Sequence, residues 1–162
     1  MTSRCWETLG AVRVAPPELP PHVRQRCDND CVIATVAMVA NLPYEAVAER
    51  FPAGSNSRCP WPRVVRRLLL ETTGVPWNHP RYGWLRPIRR IAAAEDLAVA
   101  VIRRPWRWQT LHCVALQRGL IQDPEFARGF CSDEYPRRHW RTLLVFRPES
   151  AVRLLFVQHF RS

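Results

Sequence analysis

Residues 31–40 are apolar at every position except Thr35, and the stretch ahead of them, Asp28-Asn29-Asp30, is polar and made of residues that cap helices. A cap followed by a helix apolar on all sides predicts a buried central helix from Cys31 onward. Asn41-Leu42-Pro43 interrupts it. Tyr44, Val47, Ala48 and Phe51 then recur at i, i+3, i+4 and i+7, the pattern of a second short helix over 44–51 with Glu45, Glu49 and Arg50 in water. A loop rich in Pro, Gly and Ser (52–62) leads to a third, amphipathic helix over 63–71, which stops before Gly74. After an irregular aromatic stretch (76–87) and a short helix over 88–95, the period changes. Residues 97–102 form a continuous apolar run of strand length, which predicts a central strand, and 112–117, 120–123, 142–146 and 152–157 read as further strands separated by turn residues. Helices first and antiparallel strands afterwards make an α+β domain.

Pro16, Pro17, Pro20 and Pro21 make residues 1–24 an extended, polyproline-like arm ahead of one domain over 25–162. The longest apolar runs fall far short of the roughly 18–20 residues of a membrane span, so no membrane segment is expected. The first residues, Met1-Thr2-Ser3-Arg4-Cys5-Trp6-Glu7, lack the apolar core of a signal peptide. A cytoplasmic protein is the expectation, with delivery by a specialised secretion system as its variant.

Composition adds two facts. The net charge is +10, and all 24 basic residues are Arg. GC-rich codon usage accounts for the absence of Lys; a chain that cannot modify itself at lysine is the sharper reading. Six cysteines (Cys5, Cys27, Cys31, Cys59, Cys113 and Cys131) are not spaced as a small secreted framework, so reduced thiols are expected. Cys27-x-x-x-Cys31 with His112-Cys113 matches poorly the closely spaced pairs of zinc sites, and neither metal nor cofactor is expected.

Cys31 is the candidate nucleophile, because a thiol in the first turn of a helix feels the partial positive charge of the N-terminus, which favours thiolate. Asp28 and Asp30 oppose this unless their carboxylates are engaged by backbone N–H groups. Gln25, six residues before Cys31, and the Asp30-Cys31 pair opening a helix that contains Ala34, Ala37 and Met38 resemble the papain-like cysteine peptidases, and most nearly the small bacterial leader-peptide peptidases of bacteriocin exporters. The resemblance runs from Gln25 to Pro124. It implies a papain-like fold in which Cys31 attacks an amide carbonyl, His112 moves the proton, Asp123 orients His112 and Gln25 donates to the oxyanion. Val32 stands where the leader peptidases have Gly, so leader specificity is not carried over.

The His112 and Asp123 pairing also follows from a hairpin. If Arg118-Gly119 is a two-residue turn, Gln117 faces Leu120, Leu116 faces Ile121 and Val114 faces Asp123. Side chains two apart share a face, so His112 and Asp123 are diagonal neighbours with backbones roughly 7–8 Å apart, a gap that an imidazole and a carboxylate can close. Just before His112, Arg103-Arg104-Pro105-Trp106-Arg107-Trp108 interleaves Arg with aromatics, which makes Trp106 and Trp108 candidate substrate contacts. Together these readings predict a thiol peptidase acting on a peptide or protein, with an acidic or aromatic segment as a candidate substrate. Glutamine deamidation or acyl transfer by a papain-like toxin or effector is the alternative of the same chemistry. A non-catalytic basic module that binds nucleic acid or an acidic protein is the alternative of a different class.

Overall fold

The computed structural model describes residues 22–27, 30–52, 62–78, 81–82, 85–105 and 111–149. Its elements are, in chain order, α1 (Cys31–Ala40), α2 (Tyr44–Ala48), α3 (Pro62–Thr73), β1 (Arg81–Tyr82), α4 (Ile88–Ala92), β2 (Leu97–Arg103), β3 (Leu111–Gln117), β4 (Leu120–Gln122), β5 (Gly129–Cys131) and β6 (Arg141–Phe146). The strands form one six-stranded sheet in the order β1-β6-β2-β3-β4-β5, antiparallel throughout. The molecule is therefore α+β, and the 97–102 run does form an interior strand. Among the described residues no helix is long and apolar enough to cross a membrane.

Helix α1 is buried along its length from Cys31 to Val39, as its apolar surround requires. It ends where Asn41 turns left-handed (φ 53°) and the Leu42 N–H reaches back to the Ala37 carbonyl at 3.0 Å, a closure that Asn tolerates without a Cβ penalty as large as other residues bear. The polar residue within the helix joins it to the sheet, since the fully buried Thr35 hydroxyl donates to the Cys113 carbonyl of β3 at 3.0 Å. Helix and strand are thus pinned together one residue from His112.

Apolar side chains fill both faces of the sheet. On one face Val99, Val101, Cys113, Ala115 and Phe146 pack with α1 and with Val65, Leu68 and Leu69 of α3. On the other, Ala98, Ala100, Ile102, Val114 and Leu116 pack with Ile88 and Ala92 of α4, Phe130 and Tyr135. Alternation along β2 and β3 assigns each residue to its side.

Several boundaries differ from expectation. α2 stops at Ala48 because Arg50 and Phe51 donate to carbonyls three residues back, tightening the last turn, although Phe51 still packs on the core. α4 stops at Ala92 in the same way, with Ala94 and Glu95 closing i−3 turns. α3 runs longer, through Thr72 and Thr73, whose hydroxyls bond back to the carbonyls of Leu68 and Leu69. β1 and β5 were not expected; two- and three-residue strands are too short to show alternation. The strand expected over 152–157 lies outside the described residues.

The pin between α1 and β3 is testable. Thr35→Val keeps the shape and removes the donor, so the variant should lose about 1 kcal/mol, read as a fall of about 2–4 °C in the thermal midpoint. An unchanged midpoint would show that this hydrogen bond contributes nothing net.

Candidate active site

The turn between β3 and β4 is the one expected. Arg118 (φ 51°) and Gly119 (φ 78°) both take positive φ, and the register pairs Gln117 with Leu120, Leu116 with Ile121 and Ala115 with Gln122. Two successive positive-φ residues make the turn whose twist matches the flanking strands. Asp123 follows at once, fully buried, and its Oδ1 lies 2.7 Å from His112 Nε2. The diagonal contact predicted from the hairpin is present.

Alternation places His112 with Val114 and Leu116, on the face opposite α1. β3 continues past its last pairing with β4 at Ala115 while it stays paired with β2 as far as Leu111. The imidazole feels Cys31 through a side-chain hydrogen bond and through charge. With Nε2 turned to Asp123, Nδ1 is the nitrogen left for the sulfur. Cys31 and His112 keep only 6% and 5% of their surface exposed, so water has little access between them.

Asp123 is more elaborately held than the sequence suggested. Oδ1 also accepts the Glu125 N–H at 2.9 Å, and Oδ2 accepts the Tyr135 hydroxyl at 2.5 Å and Arg137 Nη1 at 3.1 Å. Burial works against its charge, but the hydrogen bonds and charge of His112, with Tyr135 and the Glu125 N–H, hold the carboxyl below its ordinary range. For His112, burial pushes downward and is outweighed by Asp123 and Cys31, which raise the imidazole from its ordinary 6.5 to about 9. Burial and the neighbouring Asp123 charge push the Tyr135 phenol far up, so it stays a donor. The edge of Trp140 closes on the imidazole, with ring centroids 6.4 Å apart.

No family model, curated protein or solved structure matches the chain. What the site can do is read from its own side chains.

Asp30 departs from expectation. It precedes α1, yet its side chain makes no cap to the helix. Instead Oδ2 turns upstream to accept the N–H groups of Arg26 (2.9 Å) and Cys27 (3.3 Å) and the Tyr44 hydroxyl (2.5 Å). Its carboxylate is engaged by backbone N–H groups, but those of the loop that carries Gln25. Asp28 lies outside the described residues. The Gln25 N–H donates to the Pro124 carbonyl at 3.0 Å, so that loop is fixed between the head of α1 and the residue after Asp123. Gln25 Oε1 is buried without a hydrogen-bond partner. A half-turn of the amide would place its N–H₂ there instead.

Trp106 and Trp108 lie outside the described residues. Cys27 is exposed, and Cys27, Cys31, Cys113 and Cys131 carry no disulfide. Cys113 is fully enclosed on the α1 face, where burial pushes its thiol well up. Among the described residues no group of three or more His, Cys, Asp and Glu side chains is placed to hold a metal.

Tyr135, Arg137 and Glu125 were missed from the sequence. In the sequence Arg137 is one member of a basic cluster, Arg137-Arg138-His139-Trp140-Arg141, with nothing to mark it as the partner of Asp123.

The raised His112 value has a signed consequence. A group whose affinity for its proton is higher folded than unfolded stabilises the fold fully below its unfolded value and loses that contribution as pH rises through the folded one. The urea midpoint should therefore fall between about pH 6.5 and 9, and Cys31→Ala, which removes one cause of the shift, should flatten that fall. The same slope in His112→Ala would assign it to another group.

Proposed function

We propose that the protein is a thiol-dependent amide hydrolase of papain-like design. The reading rests on one observation: a nearly enclosed imidazole is bonded through Nε2 to a fully buried carboxylate at 2.7 Å and feels the thiol that opens a buried helix. In this reading Cys31 attacks the substrate carbonyl and His112 passes the proton to the leaving amine. Asp123 fixes the tautomer and ring orientation. The Cys31 backbone N–H, at the start of α1, and the Gln25 amide donate to the oxyanion. Every base in the chain being Arg, with a net charge of +10, an acidic peptide or protein segment is the substrate class that electrostatics favours. A reduced thiol nucleophile suits the cytoplasm.

The same acyl-enzyme would form on a glutamine side chain. Release of ammonia rather than of a new α-amine is the product that would move the assignment from peptidase to deamidase.

Two sets of variants test the reading. A small alkylating agent at neutral pH should label Cys31 ahead of Cys5, Cys27, Cys59, Cys113 and Cys131, and His112→Ala should abolish that preference. Equal labelling of several cysteines, or preference for Cys27, would overturn it. Asp123→Asn should lower turnover by about 10⁴-fold, by admitting the wrong tautomer. Gln25→Ala should lower it by about 10²–10³-fold while Cys31 labelling stays fast. Normal hydrolysis in Gln25→Ala would show that other donors hold the oxyanion.

A further inference from the structure

Both nitrogens of His112 face a carboxylate. Nε2 meets Asp123 at 2.7 Å, and Nδ1, the nitrogen that Asp123 leaves available to the sulfur, lies 3.6 Å from Glu125 Oε1. One guanidinium ties the two acids together, since Arg137 Nη1 donates to Asp123 Oδ2 and Nη2 to Glu125 Oε2. The Glu125 N–H closes the ring onto Asp123 Oδ1. Arg137 also stacks over Trp140 (4.7 Å) and Phe126 (5.3 Å), which fixes the direction of its fork. Glu125 differs from Asp123 in one respect: its side chain is 37% exposed, whereas that of Asp123 is fully buried.

Asp123 alone suffices to set the tautomer, so a second, partly exposed carboxylate at Nδ1 has a different use. Once the sulfur is acylated and Nδ1 has passed its proton to the leaving group, Nδ1 is a bare acceptor, and Glu125 Oε1 beside it is a second acceptor for an incoming water. We propose that Glu125 is a positioning residue for deacylation, holding the imidazole and the attacking water beside the thioester. The inference rests on the thiol hydrolase reading above. In that half-reaction a water oxygen bonds to the acyl carbon as the C–S bond breaks. His112 Nδ1 takes the water proton and returns it to the departing Cys31 sulfur, releasing a carboxylic acid and the free thiol; no oxidant or further reactant is needed. Arg137 holds Glu125 at a fixed distance and couples it to the acid on the other nitrogen.

The test uses the whole chain and a small nitrophenyl ester, with intact-mass measurement of the Cys31 adduct during turnover. In Glu125→Gln, which keeps an oxygen for Arg137, the acylated fraction at steady state should rise at least tenfold while turnover falls by about 10–10²-fold, within what a positioned proton-transfer group contributes. Glu125→Ala should behave alike, so the result does not depend on how one variant folds. Turnover that falls without adduct build-up, or adduct and turnover both at wild-type values, overturns the proposal. A wild-type chain that neither turns over the ester nor forms a Cys31 adduct would instead overturn the hydrolase reading itself.

Discussion

A carboxylate with no exposed surface is costly to hold, and much of the structure described around Asp123 compensates it. An isolated buried charge costs several kcal/mol, and it survives only when paired and hydrogen-bonded. Asp123 meets both conditions with donors of four kinds: an imidazole, a phenol, a backbone amide and a guanidinium. Each kind of donor has its own place in the chain. His112 comes from β3, the Glu125 N–H from the turn after β4, and Tyr135 and Arg137 from the stretch between β5 and β6. The second face of the sheet is thus closed over a charge as much as over apolar side chains, and Phe126, Phe130 and Tyr135 pack against one another beside it. Removing any one donor would leave the others to hold a less compensated anion.

The parts of the fold governed by short-range rules were legible. An unbroken apolar surround predicted the burial of α1, and the Arg118-Gly119 turn predicted a register from which the His112 and Asp123 contact followed with no further information. Asp30 shows where such rules stop. Its position before the helix invites a capping assignment, but a carboxylate chooses among all N–H groups within reach, and those of Arg26 and Cys27 with the Tyr44 hydroxyl won. Tyr135 and Arg137 were hidden for a related reason. Their role depends on what faces them across the fold, and a basic cluster looks the same in sequence whether it is solvated or closes on a buried acid. β5 escaped because three residues with one buried aromatic carry no period.

The segment 22–27 is latched to the far end of the chain. The Gln25 N–H holds the Pro124 carbonyl, and His22 bonds the Phe126 carbonyl, a pairing 104 residues apart in sequence. Contacts so distant close a large loop, and their closure entropy is correspondingly high. The loop that carries Gln25 and leads into Cys31 is tied through those same bonds to the residues that follow Asp123. A chain still emerging from the ribosome before residue 123 has been made holds the thiol without its acid.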